Sequence, residues 1–395
     1  MNSENNSNST PRLRFPGFTG EWEVVELGQI CPVNRGVRVT RKDLDKDGKY
    51  PVFQNTSSPM GYYNSFNVSA NNPYVIIGGS AGLIGFCNTN FWAADDCAYF
   101  EDNEVLDKYF LYATLLVHET EIKNNVRGGN IPRIDRKSLE RIKVAFPSLA
   151  EQEKIAGFLS AMDALIAAQG QKVEALKERK RGLMQQLFPQ PGETTPRLRF
   201  PGFTGDWVQK KFKDFTFASG KRNKQNLPYE RYSISNEIGF CPQSDQFDGG
   251  GGYLKDINCK LYIIVSPHSF AYNPARINVG SIGYQNLGKD VIVSSLYEVF
   301  KTNEDCDDMF LWHWFQTGTF HKMVLDVQEG GVRQYFYYDK LRECTMSIPS
   351  IPEQKKIAES LSEMDTLIAA EIARMESLQV HKRGLMQQLF PQPSK

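Results

Sequence analysis

The stretch Lys-Asn-Asn-Val-Arg-Gly-Gly-Asn-Ile-Pro-Arg-Ile-Asp-Arg-Lys puts Lys123, Asn124, Asn125, Arg127, Asn130 and Arg133 on one glycine-bearing loop. Arg, Asn and Gln make paired hydrogen bonds of the kind that read nucleobase edges, whereas Lys and Arg also neutralise phosphate. A second region offers the same types: Tyr272, Asn273, Arg276 and Asn278 in Ala-Tyr-Asn-Pro-Ala-Arg-Ile-Asn, then Gln328, Arg333 and Gln334 in Val-Gln-Glu-Gly-Gly-Val-Arg-Gln-Tyr-Phe. Phosphate-type contacts are expected from the basic stretch Arg35, Arg38, Arg41, Lys42, Lys46 and Lys49, diluted by Asp43, Asp45 and Asp47, and from Lys210, Lys211, Lys213, Lys221, Arg222 and Lys224. Between Pro51 and Phe100 there is no Lys or Arg. A single surface charge is more often solvated than bound, and Tyr272 and Asn278 could instead fix loop geometry.

Other chemistries lack their residues. Gly48-Lys49 and Gly220-Lys221 have neither the preceding glycine nor the following Ser or Thr of a phosphate-binding loop, and Gly288-Lys289, though Gly283 stands five residues before Gly288, is followed by Asp290, which argues against ATP hydrolysis. The run Gly249 to Gly252 reads as a turn. Asn-Asn-Pro-Tyr-Val at 71–75 resembles the Asn-Pro-Pro-[Tyr/Phe] motif of amino-methyltransferases but lacks the second proline and an upstream glycine-rich cofactor loop. The seven cysteines are scattered without Cys-x-x-Cys spacing or a nearby His, so they are expected to be reduced, and no metal site is expected, the adjacent Asp95 and Asp96 reading as a solvated loop. With 46 basic and 46 acidic residues the net charge is zero, so any contact with nucleic acid must rest on local charge.

The elements that must carry these loops are written in duplicate. Thr-Pro-Arg-Leu-Arg-Phe-Pro-Gly-Phe-Thr-Gly-Glu-Trp at 10–22 returns at 195–207 with Asp for Glu, an offset of 185. Lys-Arg-Gly-Leu-Met-Gln-Gln-Leu-Phe-Pro-Gln-Pro occurs at 180–191 and again at 382–393, an offset of 202. The intervening segment is therefore 17 residues longer in the second copy, and it is unlike the first in sequence. One frame carries two different inserts.

Ile155, Leu159, Met162, Ile166, Gln169, Val173, Leu176, Lys180, Leu183 and Leu187 alternate spacings of four and three, the seam of a coiled coil. Ile357, Leu361, Met364, Ile368, Glu371, Met375, Leu378, Lys382, Leu385 and Leu389 repeat it. Each helix is expected to run about 36 residues, or about 54 Å, from an acidic first turn (Glu151, Glu153; Glu353) to Lys and Arg in the last turns. A stripe this long on an isolated helix is unstable, so the two are predicted to pair antiparallel, Gln169 facing Met375 and Glu371 facing Val173; the alternative is that each covers its own domain. Apolar runs such as Tyr-Val-Ile-Ile-Gly-Gly and Leu-Tyr-Ile-Ile-Val-Ser predict strands, and Asp107–Ile122 and Asp307–Val324 predict helices late in each insert.

The expected class is α+β: two pseudo-twofold-related, strand-rich domains joined by two long helices in an antiparallel coiled coil. The boundaries are a disordered tail 1–9, domains 10–146 and 191–348, and helical regions 147–190 and 349–395. The tail, Asn- and Ser-rich, is neither a signal peptide nor an anchor, and no apolar run reaches the roughly 18 residues of a membrane span, so a cytoplasmic location is expected. Joining Phe-Pro-Gln-Pro-Ser-Lys at the C-terminus to Thr10 would regenerate the internal junction, so the termini are expected to lie close together.

Phe-Pro-Ser-Leu-Ala-Glu-Gln-Glu-Lys-Ile-Ala-Gly-Phe-Leu-Ser-Ala-Met-Asp-Ala-Leu-Ile and Ile-Pro-Ser-Ile-Pro-Glu-Gln-Lys-Lys-Ile-Ala-Glu-Ser-Leu-Ser-Glu-Met-Asp-Thr-Leu-Ile each follow a variable insert and lead into a long helix. In this the chain resembles the specificity subunits of type I restriction-modification enzymes over nearly its whole length. The resemblance implies two target-recognition domains reading the halves of a bipartite site in double-stranded DNA, and helical regions that space them and dock two modification subunits. It also implies restriction subunits in the full complex, no membrane contact, and no catalytic centre here. S-adenosylmethionine, ATP and Mg are then expected in the partner subunits, with no cofactor in this one. Two rival readings are a DNA-free coiled-coil assembly scaffold and a stand-alone DNA methyltransferase. The divergent Arg/Asn/Gln-bearing inserts weigh against the first, and the missing cofactor motifs against the second.

Overall fold

Each copy of the leading block ends in a tryptophan that is 3% exposed, and around each a separate core has formed. The computed structural model describes residues 10–236, 239–243, 258–327 and 335–391. The chain divides into two compact units, Met1–Gln171 with Ile372–Lys395, and Lys172–Glu371. Each unit therefore owns one insert and one half of each long helix.

The first unit opens with β1 (Glu23–Glu26), α1 (Leu27–Ile30), β2 (Val33–Arg35), β3 (Tyr50–Phe53), β4 (Gly61–Tyr63) and β5 (Asn72–Ile76). It continues through β6 (Ile84–Cys87), β7 (Trp92–Ala93), β8 (Cys97–Phe100), α2 (Lys108–Val117), α3 (Glu119–Asn124), α4 (Arg136–Glu140) and β9 (Lys143–Phe146) into α5 (Leu149–Leu187). The second unit has β10 (Val208–Lys211), α6 (Phe212–Phe215), β11 (Thr216–Ala218), β12 (Lys221–Arg222), β13 (Tyr232–Ser235), β14 (Gly239–Pro242) and β15 (Ile263–Val265). Then come β16 (Phe270–Tyr272), the 3-10 turn Ile277–Val279, β17 (Ile282–Tyr284), β18 (Val291–Val293) and β19 (Glu298–Thr302). Helices α7 (Asp308–Phe315), α8 (Gly318–Val327) and α9 (Tyr338–Glu343), strand β20 (Thr345–Ile348) and α10 (Ile351–Leu389) complete it.

Inserts with unlike sequences build the same central sheet. Its order is β2-β8-β5-β6 in the first unit and β11-β19-β16-β17 in the second, and each frame adds a small antiparallel pair, β1-β9 or β10-β20. Burial explains how two sequences reach one topology: β5 in the first sheet and β16 in the second are buried at every residue, so any apolar run that fits the pleat suffices there. Differences collect outside that sheet. The first unit adds β4-β3-β7 with a parallel β3-β7 pair, and the second adds β12-β15-β18, all antiparallel, and the β13-β14 hairpin. Residues 72–75 of the Asn-Asn-Pro-Tyr-Val motif thus lie in the central strand β5, with Asn72 Nδ2 donating to Asp102 Oδ1 at 3.2 Å.

Both long helices run 39 residues, three more than expected. None of the seam residues is exposed. In the first unit Lys382 Nζ reaches Asp163 Oδ1 at 2.5 Å across the pair, and in the second Lys180 Nζ reaches Asp365 Oδ1 and Oδ2 at 2.6 and 2.7 Å. Because 163 and 365, like 180 and 382, are equivalent under the repeat, these bridges are reciprocal and fix an antiparallel register. Glu371 pairs with Lys172, beside Val173, and Met375 Sδ lies 3.6 Å from where a Cβ on Gly170 would sit. The alternative reading also holds in part: Ile155, Leu159 and Leu389 enter the core of the first unit, and Leu187, Ile357 and Leu361 that of the second.

Two expectations about the helix ends are corrected. Neither last turn carries a basic residue; the lysines counted there lie farther back, and Lys180 and Lys382 are held by the cross-helix carboxylates. The late insert helices are each broken in two, at His118 and at Gln316–Thr317. Gly249–Gly252, the whole N-terminal tail 1–9 and the last four residues lie outside the described residues. The five cysteines 31, 87, 97, 241 and 306 are buried, Cys259 and Cys344 half-buried, and all seven are free thiols as expected.

Candidate nucleic-acid interface

Strand direction decides which loops share an edge. Along β8, Arg35 of β2 pairs with Ala98 and Ile76 of β5 with Cys97, so both strands leave the sheet at the end capped by Asp95 and Asp96. Along β19, Ala218 of β11 pairs with Phe300 and Tyr272 of β16 with Glu298, so both leave at the Glu298 end. The two units thus present equivalent edges. On the first sit residues after Arg35, the β5–β6 turn and whatever docks on it; on the second sit Lys221 and Arg222 and the loop 273–281.

At the first edge, the predicted loop is a closed hairpin. Arg127 and Arg133 exchange backbone hydrogen bonds of 2.8 Å in both directions, with Gly128 at φ +105° and Gly128 to Asn130 exposed at the tip. The hairpin docks on the β5–β6 turn through Gly79 N to Pro132 O at 3.1 Å and Ile134 N to Ile77 O at 2.9 Å. That turn in turn holds the exposed loop at Asn55, by Ser80 N to Asn55 O at 3.0 Å. Arg35 Nε donates to the Asp95 carbonyl at 2.6 Å, and Arg133 Nη2 stands 3.8 Å from Asp96 Oδ1. Asn55 and Gly78 to Gly82 were not among the sequence candidates, the Gly-Gly-Ser-Ala-Gly cluster being the available signal, and Asp95 and Asp96, read as a solvated loop, are half-buried.

Other candidates in the first unit divide by role. Lys123 is exposed but paired with Glu119 at 2.6 Å, and Asn125 Nδ2 donates to Glu121 O at 3.0 Å, closing α3, whose last residue is the exposed Asn124. Arg38 is exposed, and Arg41 and Lys42 are exposed at the tip of a turn locked by Thr40 N and Oγ1 to Asp43 Oδ2 at 2.8 and 2.7 Å.

In the second unit, Tyr272 is a correction. It is fully buried, packed edge-on against Phe300, with its phenol pushed well above the ordinary range by burial, so its hydroxyl meets no ligand. It was chosen for its type; the pleat turned it inward. Asn273 is half-buried and holds the loop, its Oδ1 accepting from Ala275 N at 3.0 Å. Arg276 is exposed and Asn278 half-exposed before Gly280, which takes φ +89°. Lys221, Arg222 and Lys224 are exposed. Glu298, at the sheet end, is raised in pKa by burial and then by the charge of Asp339. On the loop 273–281 Phe336 N donates to Pro274 O at 3.0 Å, and beside it Tyr335 and Tyr337 stack with centroids 5.5 Å apart. Gln328, Arg333 and Gln334 lie outside the described residues.

Each module is clamped to its helix by identical chemistry. Arg14 Nε and Nη2 bind Glu151 at 2.9 and 2.6 Å; Arg199 Nε and Nη2 bind Glu353 at 2.8 and 2.7 Å. The following glutamines span a strand–helix corner: Gln152 accepts from Asp107 N at 3.0 Å and donates to Val105 O and Pro147 O, both at 2.9 Å. Gln354 repeats this with Asp307 N, Asp305 O and Pro349 O at 2.8, 3.2 and 2.9 Å. The glutamates stand in the first helical turns as expected, and are in addition buried arginine acceptors. Leu13 N donates to Gln388 O as Leu198 N does to Gln186 O, each at 3.0 Å, so the leading block meets the helix end alike in both units.

Two modules of one topology, unlike in their edge loops and locked to paired helices, define a duplicated scaffold for presenting two loop sets. The chain belongs to the family described as type I restriction modification DNA specificity domain, whose model matches residues 19–178 and again 205–379. It is 25% identical to the type I restriction enzyme MjaVIII specificity subunit of Methanocaldococcus jannaschii, over 96% of this chain and 93% of that one. To the EcoDI specificity subunit of Escherichia coli it is 24% identical, over 87% of this chain and 81% of that one. The crystal structure of a type I restriction-modification S subunit from M. genitalium shares the fold, with a TM-score of 0.65 at 16% identity over 98% of this chain and 100% of that one. Among the described residues no helix is long and apolar enough to cross a membrane.

Proposed function

We propose that this chain is the DNA-recognition subunit of a type I restriction-modification complex, reading an asymmetric split site with one module per half-site. The observation that carries this reading is the pairing of one sheet topology with two unlike sets of Arg-, Asn- and Lys-bearing loops at equivalent edges. If each edge reads its own bases, a duplicated frame with divergent edges gives two different half-sites. Each long helix runs unbroken for 39 residues, which supports a role in setting the spacer. In the full complex the helices dock two modification subunits, to which restriction subunits then add, while S-adenosylmethionine, ATP and Mg act in those partners and this chain supplies specificity without catalysis. The complex works in the cytoplasm.

The complex, reconstituted with its modification subunits, is expected to enrich a split motif from a random-sequence duplex library. Inserting whole helical turns in α5 and α10 is expected to lengthen the tolerated spacer and leave the half-sites unchanged. No enrichment would return the chain to a DNA-free scaffold, and methyl transfer by the chain alone would revive the enzyme reading.

A further inference from the structure

We propose that Asp96 and Gly78 position Arg133 to read a guanine in the half-site of the first module. This deepens the function proposed above and rests on it. Bidentate contact to guanine O6 and N7 needs an arginine whose backbone is fixed and whose guanidinium is oriented but not consumed. Arg133 meets the first condition on both sides of its strand. One side is bonded to Arg127 at 2.8 Å in each direction, and the other lies against Gly78, flanked by Gly79 N to Pro132 O at 3.1 Å and Ile134 N to Ile77 O at 2.9 Å.

Asp96 meets the second condition. It sits in the tight turn closed by Cys97 N to Ala94 O at 2.9 Å, and its own carbonyl accepts from Ile77 N at 2.8 Å, so the backbone that carries the carboxylate is fixed. Its Oδ1 stands 3.8 Å from Arg133 Nη2, within reach of charge attraction but beyond a hydrogen bond. The guanidinium is steered while its donor fork stays free, and the Arg133 side chain remains 58% exposed. Gly78 makes room for this. A Cβ there would lie 2.4 Å from Asp96 Oδ1, so any larger residue would push the carboxylate off its line to Arg133. The neighbouring Asp95 carbonyl holds Arg35 Nε at 2.6 Å, leaving the remaining Arg35 donors for phosphate.

The test uses the complex with its modification subunits, and its readout is the base preference at every position of both half-sites, from library enrichment, beside the melting temperature. Asp96→Asn is expected to reduce guanine preference about tenfold at one position of one half-site, the scale of a bidentate contact, and to leave the other half-site as it was. Arg133→Lys, which keeps the charge but loses the fork, should strike the same position; adding Asp96→Asn to it should change nothing further. Gly78→Ala should copy Asp96→Asn with Arg133 intact. An Asp96→Asn profile identical to the wild type, while Arg133→Lys loses a position, would overturn the positioning role. So would a uniform weakening across both half-sites together with a lower melting temperature, which marks a structural role alone. A wild-type complex that enriches no split motif sinks the functional reading itself and this inference with it.

Discussion

Replacing Glu353 with alanine tests the clamp that ties the second module to its helix. The Glu353 side chain is 3% exposed and its carboxylate accepts from Arg199 Nε and Nη2 at 2.8 and 2.7 Å and from Trp207 Nε1 at 3.4 Å, so its loss strands an arginine whose side chain is 21% exposed. Breaking a buried pair costs about 3–5 kcal/mol, and the water still reaching Arg199 brings the expected cost to the lower end, about 3 kcal/mol. For a unit of this size that is a fall of roughly 6–12 °C in melting temperature, read by calorimetry on the full chain. Arg199→Ala should then cost about 2 kcal/mol less in the Glu353→Ala background than alone, because the interaction has already gone. Glu151→Ala is expected to behave alike through Arg14. A cost below about 0.5 kcal/mol, or additive single substitutions, would refute the idea that these glutamates hold the modules and not merely the helix dipole.

His313 and the turn at Arg41 give two further tests. His313 is fully buried among Lys180, Asp365 and Ser362, and its pKa is pushed down to about 4, by burial first and then by the Lys180 charge. The unfolded chain therefore takes up a proton that the folded one refuses, so stability is whole above about pH 6.5 and falls by up to about 3 kcal/mol as pH drops toward 4. His313→Gln should flatten that slope in urea unfolding across the same range; an unchanged slope would place the titration elsewhere. Arg41→Gln with Lys42→Gln, on an exposed turn, should lower the salt dependence of DNA binding by about two counterions without altering the bases preferred. A change in preferred bases would make them readers instead.

Much of the frame was open to reading because repetition and periodicity are one-dimensional. The two offsets located the inserts, and spacings of four and three identified a seam in which every residue is at least half-buried. What periodicity could not show is the partner of a polar residue. Glu151 meets Arg14 across 137 positions and Glu353 meets Arg199 across 154, and no local pattern links them. Tyr272 was chosen for its type but lies inside, since a three-residue strand is too short to declare which face is buried.

The sequence by itself determined that there are two copies of a frame, two long helices with a common stripe and two unlike inserts, because duplication and heptad spacing depend only on the order of residues along the chain. Tertiary structure alone decided that each insert builds its own four-stranded sheet of one common topology, and that Arg35, Asn55, Gly78, Asp96 and Arg133 gather at one edge. Strand order and register set that edge, and both arise from contacts between segments that the chain separates by tens of residues.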